Sequence, residues 1–175
     1  MSEPSNELAS LRRWIDDLRA TVERKCEGLS PEQLAARSVP PSGLSVLGLV
    51  RHLAQMEHYW FVLTLSRADE PQLFVPYGDW DAQFRDAVAD EAVVAEAFDT
   101  WRATCRRADA VMDGLEPEAL DFVWDPDDRI GSVRDALVQV VYEYSRHCGH
   151  LDLLPVRDEF DLDLRAGGQE EEDRE

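Results

Sequence analysis

Four long stretches of the chain carry apolar residues at every third or fourth position, which is the pattern of a helix with one buried face. These stretches are residues 6–29, about 45–67, 90–115 and 132–154. Shorter helices are predicted at 30–36, where Ser30, Pro31 and Gln33 fit a capping box, and at 81–87. No stretch alternates in the manner of a strand. The pattern therefore predicts an all-α fold, a four-helix bundle.

Two stretches with prolines and glycines interrupt this pattern and are predicted to be long loops between helices. The first, residues 69–80, contains Phe74, Tyr77 and Trp80, which we expect to pack against the bundle. The second covers residues 116–131. Loops of this length in a compact domain are often lids or binding loops.

Length and charge limit the domain count and the partners. The 175 residues fit one domain, placed at 1–160, and a predicted disordered acidic tail follows at 161–175. The net charge of −19 argues against binding to nucleic acid or to an anionic membrane surface, because both require lysine and arginine surfaces. The chain shows no transmembrane stretch and no signal pattern, and its three cysteines lack CxxC spacing. We expect a cytoplasmic protein.

Two polar residues of the last helix occupy positions where its pattern requires apolar side chains. Glu143 and His147 are four residues apart, so their side chains lie on one helix face about 6 Å apart. That spacing allows two ligands on one helix to bind one metal ion. His52 lies on the apolar face of the second long helix. We expect it to meet Glu143 and His147 where the two helices pack together.

His150 gives an alternative ligand set. It shares the face of Glu143 and His147, but Glu143 and His150 are seven residues apart, about 10.5 Å along a helix axis. With metal–ligand bonds of about 2.1 Å, both are not expected to bind the same ion. Spacing alone leaves two sets open, one with Glu143 and one with His150, each completed by His52 and His147. His58 and Glu57 lie off the apolar stripe and are interpreted as surface groups or as outer partners of a ligand histidine.

The segments around these residues resemble the DinB-like (YfiT-like) superfamily of four-helix metalloenzymes, and within it the branch of mini-circle proteins. The resemblance rests on RATVERKCEGLSPEQLAARSVPPSGLSVLGLVRHLAQMEHYWF, DTWRATCRRADAVM and SVRDALVQVVYEYSRHCGHLDLL, which cover most of residues 19–154. It implies the DinB/YfiT-like type of bundle, in which the metal ligands fall on His52, Glu143 and His147. Many members have histidine at the position of Glu143, whereas the related mycothiol-dependent maleylpyruvate isomerases are similar to this chain in having glutamate. His150 then becomes an outer or substrate-facing group.

The resemblance implies an enzyme that uses a divalent metal ion, zinc first and nickel or another ion next, with mycothiol or bacillithiol as a thiol cofactor. The expected reaction is S-transfer or isomerisation of a small molecule, and the alternatives are a metal-dependent hydrolase and a non-catalytic metal-binding or ligand-sensing bundle. An open coordination position would favour an enzyme, because substrate or water binds there. The two long loops are expected over the site, with Trp80, Trp124 and Arg129 as candidate substrate contacts. A homodimer is expected on general grounds.

Overall fold

A computed structural model describes residues 7–125 and 130–154 of the chain. The predicted acidic tail and Arg129 lie outside these residues. The described part contains six α-helices and no strand, apart from one isolated bridge between Val123 and Ser132. The helices are α1 (Glu7–Cys26), α2 (Pro31–Ala35), α3 (Val46–Glu57), α4 (Ala82–Arg85), α5 (Glu91–Asp113) and α6 (Val133–Leu151). The predicted all-α fold with four long helices is confirmed.

The predicted helix starts agree with the observed caps. The side chain of Ser30 accepts a hydrogen bond from the Gln33 backbone N–H, while the Gln33 side chain accepts one from the Ser30 N–H, which completes the capping box. Ser45, Asp90 and Ser132 cap α3, α5 and α6 in the same local manner. These starts were readable from the sequence because a cap bonds to residues two or three positions away.

The second long helix changes its geometry halfway. After Glu57, α3 continues directly into a π-helical segment, His58–Leu65, with hydrogen bonds that span five residues. The Ser66 N–H, for example, donates to the carbonyl of Phe61. The apolar stripe predicted one continuous helix here, and it did not predict the wider turn.

Ion pairs at the helix ends show how the long helices run. Glu7 pairs with Arg134 and Lys25 pairs with Asp152, so α1 and α6 run in the same direction. Arg102 pairs with Glu23, and Arg12 with Asp113, so α5 runs opposite to α1. Helix α3 runs with α5, because Glu57 contacts Cys105 and the C-terminal ends of both helices line one cavity. The long helices α1, α3, α5 and α6 therefore run up, down, down and up.

The parallel neighbours α3 and α5 explain the first long loop. The helix from Val46 to Leu65 is about 30 Å long, and the chain must travel back along it before α5 can start beside the beginning of α3. Residues 66–90 make this return and form the crossover. The crossover is anchored along α3, where the Gln55 side chain accepts a hydrogen bond from the Leu73 N–H and Arg51 stacks on Phe74 at 4.3 Å.

The prediction that the aromatic residues of the crossover pack against the bundle is only partly confirmed. Phe74 is buried, whereas Tyr77 is fully exposed and Trp80 is 42% exposed. Tyr77 lies in a tight 3₁₀ turn, Pro76–Gly78, that projects from the bundle with a positive φ of 54°. Pro76 and Gly78 are exposed as well, so the whole turn lies at the surface.

A buried carboxylate at the centre of the bundle connects the four long helices. Glu57 of α3 accepts two hydrogen bonds from Arg19 of α1, at 2.7 and 2.8 Å, and one from the Tyr144 hydroxyl of α6 at 2.7 Å. On α5, the Cys105 thiol donates to Glu57, and Asp109 pairs with Arg19 at 2.7 Å. The interpretation of Glu57 as a surface group is therefore wrong. Glu57 lies off the apolar stripe of α3, but α1 and α5 pack against the face of α3 that carries it.

We predict that Glu57→Gln lowers the free energy of unfolding by about 3 kcal/mol or more, because it leaves the Arg19 guanidinium buried without its counter-charge. The matched control is Glu23→Gln, which breaks an exposed pair with Arg102. We expect the control to lose less than about 1 kcal/mol. Urea denaturation followed by far-UV circular dichroism measures both losses, and equal losses would contradict a central role for this carboxylate.

Candidate metal centre

Three side chains converge where α3 and α6 cross, His52 from α3 and Glu143 and His147 from α6. Oε2 of Glu143 lies 3.5 Å from Nε2 of His52 and 3.3 Å from Nε2 of His147. One ligand atom from each residue lies within 4.8 Å of the other two. Two ligands bound at about 2.1 Å to one tetrahedral ion are about 3.4 Å apart, so both distances to Glu143 fit such an ion.

A glutamine from the crossover fixes which ring nitrogen of His52 carries a hydrogen. The side-chain amide of Gln83 donates from Nε2 to the Trp80 carbonyl at 2.8 Å, which turns its Oε1 towards Nδ1 of His52 at 3.3 Å. An amide oxygen only accepts, so Nδ1 of His52 carries the hydrogen. In a neutral ring, Nε2 then presents a lone pair to the carboxylate of Glu143. Two acceptors that face each other require either a second proton on the ring or a cation between them.

Glu143 is held ionised and oriented. The Gln139 side chain donates to Oε1 at 2.8 Å, which leaves Oε2 facing the histidines. Interactions with His147 first, and then with His52, hold the pKa of Glu143 well below its usual value. The group is therefore a carboxylate at neutral pH, which is the form that binds metal.

The ring of His147 is held by its neighbour on the next turn. Its Nδ1 lies 3.1 Å from Nδ1 of His150, so one ring donates and the other accepts. Donation by His147 leaves its Nε2 lone pair directed at the site. Burial lowers the pKa of His147, which disfavours a second proton on that ring. If His150 is the donor instead, Nε2 of His147 carries a hydrogen and donates to Glu143; if His147 is the donor, a cation between the facing acceptors would satisfy both.

Each of the three central side chains thus has one outer hydrogen-bond partner, as ligands of protein metal sites usually do. Gln83 holds His52, Gln139 holds Glu143, and His150 holds His147. The outer position proposed for His150 agrees with this geometry. The central side chains keep 9 to 15% of their surface exposed. Phe84 forms one wall, with its ring 5.6 Å from that of His52.

The other candidate residues lie elsewhere. His58 is fully buried, its Nε2 bonds to the Pro71 carbonyl and its Nδ1 has no hydrogen-bond partner, so its interpretation as a surface group or an outer partner of the ligands is wrong. Trp80 reaches the site only through its carbonyl, which holds Gln83. Trp124 lies against Val133, about 15 Å along α6 from Glu143. The described part of the second loop is therefore at the far end of the bundle.

Sequence reasoning missed Gln83, Gln139 and Phe84. Gln139 had a readable signal, because it stands four residues before Glu143 on the same helix face. Gln83 and Phe84 had none, because they belong to the short helix α4 and reach His52 only through the path of the crossover.

Comparison with known proteins gives one match. A family model described as mycothiol-S-transferase matches residues 10–161 of the chain. This match confirms the resemblance to the DinB-like superfamily, to which that family belongs. No curated protein and no solved structure matches the chain. Among the described helices, none combines the length and the apolar character that a membrane span requires.

We predict that purified protein binds about one equivalent of zinc, and that His52→Ala and Glu143→Ala each weaken binding at least about tenfold. Competition against a fluorescent chelator measures the affinities. His150→Ala should have a smaller effect, because it removes only the partner of His147. Loss of the metal in His150→Ala, with binding intact in Glu143→Ala, would contradict the ligand set.

We further predict that Gln83→Leu weakens zinc binding about tenfold, because the His52 ring loses the acceptor that fixes its tautomer. Gln72→Leu is the matched control, since Gln72 lies on another part of the crossover, where it accepts a hydrogen bond from Gln55 of α3. The same competition assay compares them. Equal affinities for Gln83→Leu and the control would show that Gln83 does not orient the ligand.

Proposed function

The chain belongs to the mycothiol-S-transferase family, and from this premise we propose that it is a divalent-metal-dependent S-transferase. It joins the sulfur of mycothiol to a small electrophilic molecule. The observation that carries the proposal is the convergence of His52, Glu143 and His147, with their acceptor atoms facing one another. The outer partners of all three side chains support it further.

The donor set fits a divalent ion with two imidazoles and one carboxylate. Zinc is the first choice, because it accepts nitrogen and oxygen ligands in this number and commonly keeps one position for a reactant. Nickel or another divalent ion accepts the same donors. When bound, the ion supplies Lewis acidity, which lowers the pKa of a thiol that shares the site. His52, Glu143 and His147 hold it, and their outer partners keep the three donors in place.

The chain's own cysteines are poor nucleophiles, which supports an external thiol. Burial raises the pKa of Cys26 to about 12. Burial is also the first cause that raises the pKa of Cys105 and of Cys148. All three are therefore protonated at neutral pH, and a thiol rather than a thiolate is a weak nucleophile. The reacting sulfur is then that of a thiol substrate.

The proposed reaction is a substitution at an electrophilic carbon. The thiol loses its proton to solvent, its sulfur forms a bond to the carbon, and the leaving group departs with the bonding electrons. Glu143 and the two histidines remain ligands throughout, since their protons and lone pairs are already committed. The wall formed by Phe84 excludes water from one side of His52.

We predict that zinc-loaded protein accelerates the transfer of mycothiol to 1-chloro-2,4-dinitrobenzene, and that His52→Ala lowers kcat/KM at least about 100-fold, because it removes a ligand. Chloride release and the absorbance of the aryl thioether measure the rate. Gln72→Leu is the control and should keep the parental rate.

A parallel reaction with bacillithiol in place of mycothiol shows which of the two thiols the protein uses. No acceleration with either thiol, combined with metal-dependent hydrolysis of an activated ester, would replace S-transfer with the hydrolase alternative. Stoichiometric zinc without either activity would favour a non-catalytic metal-binding bundle.

A further inference from the structure

A cavity lies at the end of the bundle opposite the candidate metal centre. It has a volume of about 470 Å³, within the range of small-molecule sites. Seven apolar side chains and two polar ones line it, contributed by the end of the π-helical segment, the start of the crossover, the end of α5, the second loop and the start of α6. They are Leu65, Val111, Leu115, Ala119, Phe122, Trp124 and Val133, together with Thr64 and Arg67.

Among the described residues, Arg67 is the only charged one in this lining, and no described carboxylate pairs with it. The nearby acid Glu70 is already bound by two hydrogen bonds from Arg107, at 2.6 and 2.9 Å. The hydroxyl of Thr64 donates to the Tyr59 carbonyl. Arg67 is exposed to solvent, so its guanidinium can bind an anion at the edge of the apolar cavity.

Arg67 has a backbone conformation that arginine rarely adopts. Its φ is +53°, in the left-handed region, because it ends the helical segment, and the next N–H donates back to the carbonyl of Val62. Glycine is the residue that this position favours. A long cationic side chain stands there instead, and it lines the cavity.

We propose that this cavity binds an apolar monocarboxylate, with the hydrocarbon part among the side chains of Leu115, Phe122 and Trp124 and the carboxylate on Arg67. An apolar wall with one unpaired guanidinium complements a single negative charge on a hydrophobic body. A local cation is required, because the net charge of −19 otherwise repels anions. The site is separate from the metal centre, since Val133 precedes Glu143 by ten residues, about 15 Å along α6.

Isothermal titration calorimetry with octanoate and 1-octanol tests this site on zinc-loaded protein. We expect octanoate to bind and Arg67→Gly to weaken it about tenfold, because a charge-assisted pair is lost. Binding of 1-octanol should be unchanged in this variant. Glycine suits the left-handed backbone, so Arg67→Gly should keep or raise Tm, and a loss of binding cannot be attributed to unfolding. Arg67→Lys should retain most of the octanoate affinity.

Two further variants locate the site. Ala119→Phe fills the cavity and should abolish binding of both probes, whereas His52→Ala should leave octanoate affinity unchanged. If His52→Ala weakens octanoate binding, octanoate is a ligand of the metal centre and the proposal is wrong. Equal octanoate binding by the parent and by Arg67→Gly, or no heat with either probe, would also overturn it. None of these outcomes depends on whether the chain transfers mycothiol.

Discussion

The buried pair of Glu57 and Arg19 is the interaction on which the rest of the structure depends. A carboxylate removed from water is strongly destabilising unless every lone pair is bound, and here the partners come from three other helices. Two of them, Arg19 and Tyr144, are themselves buried, and Trp101 donates to the Tyr144 hydroxyl at 2.7 Å. This requirement fixes both the rotation and the register of each helix, which apolar contacts alone would leave adjustable.

The convergence of the candidate metal ligands is a consequence of that register. Tyr144, which bonds to Glu57, is the chain neighbour of Glu143, and His52 stands five residues before Glu57 on the same helix. Once Tyr144 and Glu57 are joined, α6 cannot slide or rotate without separating Glu143 from His52. The central polar network therefore positions His52, Glu143 and His147, the three side chains of the candidate metal centre. The buried network and the functional site are best understood as one arrangement.

The topology gives the site its remaining parts. Because α3 and α5 run in the same direction, the chain must return along the bundle, and this return carries Gln83 and Phe84 to His52. A simple up-and-down bundle with short loops would lack this segment. The same order leaves the opposite end of the bundle to the second loop, where the cavity beside Arg67 forms. One end is thus polar and suited to a metal ion, and the other is apolar with a single cation.

The sequence by itself determined the long helices, their caps and the shared helix face of Glu143 and His147. Those features depend on contacts within about four positions, so periodicity and spacing reveal Ser30 as a cap and Glu143 and His147 as a pair. Spacing alone left Glu143 and His150 as alternatives, which the family resemblance resolved and the distances in the structure support. Only the tertiary structure decided the burial of Glu57 and the role of Gln83. A helix face does not show which distant segment will cover it, and that choice depends on how the whole chain packs.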